Sequence, residues 1–194
     1  MALSKPLADL RDAALEAYFV ADAESESRLE YADGEMVAMA GAAPNHVRIT
    51  RNITVRLENQ FGDGPCEAFA SDLRVQVSPT QYRYPDVVVV CGTAQFANTK
   101  PQTLLNPTVI IEVLSDSTQE KDRGDKFREN MQITTLRDYI LVTQTERRVL
   151  HYARQADNRW LVTEYTQPDD TLNIESLGAT LTLADIYRRI VFSV

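Results

Sequence analysis

The segment 106–126, NPTVIIEVLSDSTQEKDRGDK, sets one acid, Glu112, in the middle of an apolar run and follows it with a dense polar stretch. An unpaired carboxylate is costly to bury, so Glu112 is expected to be protonated, paired or bound to a metal. Upstream, residues 84–90 read YPDVVVV and place Asp86 at the mouth of a second run of the same kind. Two acids on two buried strands point to a shared site.

Runs this rich in Val and Ile belong to strands covered on both faces. Strands are expected over 65–70, 72–77, 83–91 and 108–114, with Pro101 and Pro107 bracketing the loop before the last of them. After it, Ser117 with Glu120 matches a capping box, which predicts a helix from Thr118 to Met131 interrupted by Gly124. Alternating patterns then predict strands over 139–143, 149–154 and 160–165, and Thr182 with Asp185 opens a short helix over 183–189. Toward the N-terminus, 6–20 reads as an amphipathic helix. Residues 28–31 and 35–40 read as two strands joined by the hairpin signal Asp33-Gly34. Ile49, Ile53, Leu57 and Phe61 recur every four residues, so a helix should span 44–61 with Pro44 near its start. His46 then lies on its core-facing side. Strands at both ends with helices between them predict an α/β fold, a mixed β-sheet flanked by helices with an additional antiparallel β region.

The chain has 194 residues, 44% of them apolar and 25% charged, a make-up suited to one soluble domain over 1–194. No segment has the run of apolar residues needed to cross a bilayer, and charges inside the N-terminal helix pattern are wrong for a signal peptide. Two cysteines, Cys66 and Cys91, without metal-binding spacing suggest neither a disulfide framework nor a zinc site, which fits a reducing cytoplasm. The net charge of −8 excludes a protein that coats nucleic acid through bulk cationic surface. It leaves room for local basic surface, and Arg48, Arg51 and Arg56, then Arg123, Lys126 and Arg128, form local clusters.

Carboxylates converging at strand ends make a hard-oxygen site suited to Mg²⁺ or Mn²⁺. Such an ion activates water and neutralises phosphoryl charge, and a nearby lysine stabilises the negative charge that develops, so the implied chemistry is phosphodiester hydrolysis. Asp86, Glu112 and Lys126 are the first candidates, with Glu35 and His46 as additions. Each has a plainer reading. Asp86 can cap a strand entry, Lys126 can pair with Asp122 one helical turn earlier, Glu35 can be a hairpin residue, His46 a packing histidine and Asp72 a turn residue.

YPDVVVV, then IIEVLSDST, then DRGDKF closely resemble the restriction-endonuclease-like Uma-two family abundant in cyanobacteria, whose core is that of PD-(D/E)XK nucleases. Further matching pieces are LEYADGEMVAMAGAAPNHVRI (29–49), SDLRVQV (71–77), LRDYILVTQ (136–144) and LADIYRRIVF (183–192). The resemblance implies a Mg²⁺- or Mn²⁺-dependent endonuclease acting on nucleic acid, DNA above all, with Asp86 and Glu112 as metal ligands. A homodimer would cut both strands. The lysine of the (D/E)XK element would stand at 114, where this chain has Leu114. Lys126 is the expected substitute. The alternative is a catalytically silent module that keeps the fold and binds nucleic acid or a protein partner.

Overall fold

The computed structural model describes residues 7–114 and 126–192. In chain order the elements are α1 (Leu7–Glu24), β1 (Leu29–Ala32), β2 (Glu35–Ala38), α2 (Pro44–Phe61), β3 (Cys66–Ala70), β4 (Arg74–Ser78), β5 (Gln81–Arg83), β6 (Val87–Cys91), β7 (Phe96–Ala97), β8 (Thr103–Leu104), β9 (Val109–Leu114), α3 (Phe127–Asn130), β10 (Asp138–Thr143), β11 (Val149–Arg154), β12 (Trp160–Tyr165), β13 (Thr171–Ile174), β14 (Ala179–Thr182) and α4 (Leu183–Ile186). They build two six-stranded sheets, ordered β12-β11-β10-β9-β6-β3 and β2-β1-β5-β4-β8-β7, and the hairpin β13-β14. In the first, the core sheet, β9 runs parallel to β10 and antiparallel to β6. The predicted mixed α/β architecture is what forms.

Four layers stack. Ile49, Ile53 and Leu57 of α2 pack with Val87, Val89, Val109, Ile111 and Val113 on one face of the core sheet. Burying each such side chain contributes roughly 1.5–3 kcal/mol. Alternate residues of the same strands face the second sheet: Val88 and Val90 meet Val75 and Leu104, while Ile110 and Leu114 meet Val77. This is why both apolar runs are continuous, since each strand is covered twice. The second sheet is covered in turn by α1, whose Tyr18 packs with Tyr31 and Tyr82.

α2 has the predicted limits. Pro44 occupies its first turn, where a missing N–H costs nothing, and the chain leaves at Gly62 with φ 50°. The Asp33-Gly34 turn also forms as predicted, with φ of 49° and 105°.

The structure departs from the sequence expectations in four places. The strand expected over 83–91 is two strands, because Pro85 has no N–H to give a ladder; β5 pairs in the second sheet, β6 in the core sheet, and residues 84–86 cross between them. The short strand β8 falls within the stretch between Pro101 and Pro107 read as loop, and it pairs with another short strand, β7, which the sequence reading did not predict. The β13-β14 hairpin was not foreseen. Finally, Cys66 and Cys91 stand directly opposite each other in the β3–β6 ladder and are joined as a disulfide. Their separation of 25 residues carries no signal that a cross-strand register will pair them. Of the helix expected over 118–131, α3 is the described part; its cap at Ser117 and Glu120 and the polar residues Asp122, Arg123 and Asp125 lie outside the described residues.

Candidate active site

Asp86 ends the crossing between the two sheets, and three elements close around it. Its Oδ2 accepts the backbone N–H of Val113 in β9 at 2.7 Å. Its Oδ1 lies 2.6 Å from Nε2 of His46, on the first turn of α2. Its carbonyl accepts the N–H of Ser71 at 2.9 Å. The carboxylate is therefore held from two sides with one lone pair left on each oxygen. His46 does point at the sheet, and its Nε2 is committed to Asp86.

Glu112 is half-buried in the otherwise buried β9. The register pairs Val87 with Ile111, so one further step sets residue 86 opposite residue 112. Directly opposed residues of an antiparallel pair have Cβ atoms about 5 Å apart. The spacing seen in the sequence thus becomes adjacency in space. Leu114 shares the strand face of Glu112 and is 1% exposed, packed with Ile110, Leu136 and Tyr139. An ammonium there would be buried among apolar side chains, which is the physical reason this position carries leucine.

Cationic charge arrives from two other places. Lys126, just before α3, has Nζ 4.0 Å from Oε2 of Glu30. The Arg83 guanidinium donates to Glu129 at 2.8 Å and to Glu30 at 3.4 Å. Burial works to lower the pKa of Arg83, but the Glu129 hydrogen bond and the charges of Glu30, Glu129 and Glu112 outweigh it and raise it. Arg83 is therefore a permanent cation within the field of Glu112. Alternation explains the arrangement: Tyr31 and Tyr82 turn toward α1, so Glu30 and Arg83 turn the other way.

Sequence reasoning missed Glu30 and Arg83. The apolar neighbours of Glu30, Leu29 and Tyr31, were a usable period-2 signal that this acid faces opposite to a buried tyrosine. Glu35, the acid expected from this region, opens β2, which is exposed along its length. The register sets Glu35 opposite Ala32, diagonal to Glu30 and one strand farther out. Among the described residues it makes no bond or ion pair with Asp86, Lys126 or Arg83. Asp72 sits in a turn with φ 59° and pairs with Arg28 at 3.1 Å.

A second polar cluster invites comparison. His151 Nε2 lies 2.6 Å from Asp138 Oδ1, and the Ser176 hydroxyl donates to the other oxygen of Asp138. The serine bonds the aspartate and not the histidine, so no base activates it, and the group is a buried tie between β10, β11 and the turn before β14.

Comparisons with known proteins bear on the family and the fold. The Uma2 family model, described as "Putative restriction endonuclease", matches residues 15–184. Two Synechocystis proteins, the uncharacterized slr1290 and sll1609, are each 35% identical; the first alignment covers 91% of this chain and 92% of the relative, the second 76% and 84%. The crystal structure of a "putative nuclease belonging to DUF820" from Anabaena variabilis superposes with a TM-score of 0.71 at 16% identity, over 87% of this chain and 94% of that one. At that identity the likeness speaks for the fold. No helix among the described residues is long and apolar enough to cross a membrane. Nearly the whole length of the chain is matched, and we conclude that it belongs to the Uma2 family of restriction-endonuclease-like proteins.

Proposed function

We propose that this chain is a single-domain, divalent-metal-dependent endonuclease that hydrolyses phosphodiester bonds of nucleic acid, DNA first among them. The observation that carries the reading is the fixed carboxylate of Asp86 opposite Glu112 at the crossing between the sheets.

Among the described residues no three His, Cys, Asp or Glu side chains stand together as a full metal cage. Mg²⁺ needs no such cage, because it keeps several waters and binds through one or two carboxylates plus substrate phosphate. Asp86, with a lone pair left on each oxygen, and Glu112 fit that demand. When bound there, the ion lowers the pKa of water and neutralises charge on the phosphoryl group. His46 is a positioning residue that holds the Asp86 carboxylate in one orientation. Lys126 and Arg83 supply positive charge where the phosphorane-like transition state gathers negative charge. Glu30 and Glu129 hold those two cations at the site.

Incubating purified protein and supercoiled plasmid with Mg²⁺ or Mn²⁺ tests the reading. Wild type is expected to nick or cut, Glu112→Ala is expected to do neither, and equal activity in the two would sink it. Lys126→Met is expected to lower the cleavage rate about 100-fold, the loss typical of one preorganised charge donor. Calorimetry is expected to show its metal binding intact; wild-type turnover by this variant would remove Lys126 from the mechanism.

Cutting both strands of a duplex takes two sites, which fits a homodimer. A cytoplasmic setting belongs to the same reading.

A further inference from the structure

On the outer side of α2, away from the core sheet, a groove of about 320 Å³ lies between this helix and the segment around α4. Arg51, Arg56, Arg188 and Arg189 line it together with Asn52 and Asn59, against a single carboxylate, Asp185. Asp185 pairs with Arg56 at 3.3 Å. Among the described residues, Arg51, Arg188 and Arg189 make no ion pair. In a chain of net charge −8, three unpaired guanidiniums around one concavity are a marked local excess of positive charge. They repel one another, and an anion in the groove would remove that repulsion.

The groove is also rigidly built. The Asn52 amide donates to the carbonyls of Ile186 and Arg188 at 3.0 and 2.9 Å. Arg189 adopts φ 62°, uncommon for a residue with a side chain, and past it the Val191 carbonyl accepts from Asn45 at 3.1 Å. The C-terminal arginines are thereby clamped to the helix. Arg48 is exposed on the same outer side, so the basic face runs along α2 from near the turn that bears His46. From Arg48 to Asn59 it extends about 16 Å. Duplex nucleic acid presents one negative charge per ~1.7 Å of axis, and guanidinium is the side chain best matched to phosphate.

We propose that the α2–α4 groove is a phosphate-backbone binding surface for nucleic acid, distinct from the Asp86–Glu112 site and joined to it through α2. The inference rests on the nuclease reading for the identity of its ligand. It makes α2 a two-sided element, with His46 serving the chemistry and the arginines serving attachment.

Fluorescence anisotropy with short labelled DNA and RNA duplexes, in the absence of divalent metal, tests it. Arg51→Ala/Arg188→Ala changes two exposed side chains. It is expected to weaken binding tenfold or more and to reduce the slope of log affinity against log salt by about 2. Arg159→Glu, the same change of net charge at the exposed β11–β12 turn, is expected to leave both unchanged. Wild type that binds neither duplex, or a double variant that binds like wild type, overturns the proposal. Binding lost in the double variant while wild type cuts nothing with any metal supports the groove and removes the nuclease reading instead.

Discussion

Asp86→Asn is expected to abolish metal-dependent cleavage, by about 10³-fold or more, while leaving the protein folded. The size follows from what a bound ion contributes to a phosphoryl transition state, several kcal/mol at about 1.4 kcal/mol per decade. Asparagine keeps a carbonyl oxygen to accept the Val113 N–H, and His46 accommodates the amide by changing tautomer. The charge is lost and the shape is kept. Calorimetry should therefore show metal binding lost with it, and the urea midpoint should stay near that of wild type. Cleavage at the wild-type rate would show that the carboxylate at the sheet crossing is structural.

The second large effect is on stability. Arg74 is completely buried, and its guanidinium donates to Asp22 at 2.7 Å, Thr103 at 2.8 Å and the Pro101 carbonyl at 2.6 Å. Asp22, equally buried, also accepts the Leu29 N–H at 2.9 Å and the Tyr84 hydroxyl. Burial raises the Tyr84 pKa, the hydrogen bond to Asp22 and its charge raise it further, and Arg74 opposes, so the phenol stays protonated and donates. Arg74→Met removes one partner of a buried pair and strands the other, which costs about 3–5 kcal/mol. For a chain of this size that lowers Tm by roughly 6–20 °C. The double variant Asp22→Leu/Arg74→Met is expected to recover part of the loss, since neither charge is then stranded. An Arg74→Met protein that melts with wild type would refute the argument. The network also bears on the site, because Tyr84 is two residues from Asp86 and its N–H donates to Glu30 at 3.3 Å. A loosened Tyr84 should therefore depress cleavage before the protein unfolds.

Much of the site is legible because acids are so unusual in buried runs. Asp86, Glu112 and His46 were each marked by local pattern, and the fold brings Asp86 to the other two. Glu35 was a reasonable choice from the hairpin and shares the face of Glu30, yet it stands one strand farther out on the exposed β2, which leaves the inward place to Glu30. Lys126 does stand beside an acid of that hairpin. Leu114, a departure from the nuclease motif by sequence, is simply the residue its buried surroundings demand.

The sequence by itself determined the elements whose signal is local: α2 from Pro44 to Phe61, the hairpin turn at Asp33-Gly34, the strands 149–154 and 160–165, and the two acid-bearing runs. Each residue's side of a helix or strand follows from a period of 3.6 or 2, and burial selects that period residue by residue. Only the tertiary structure decided that the chain changes sheets at Tyr84–Asp86, that Cys66 faces Cys91, that Glu30 and Arg83 join Lys126, and that arginines from α2 and the C-terminal segment share one groove. These facts depend on register and packing between segments far apart in sequence. No local periodicity encodes a partner on another strand.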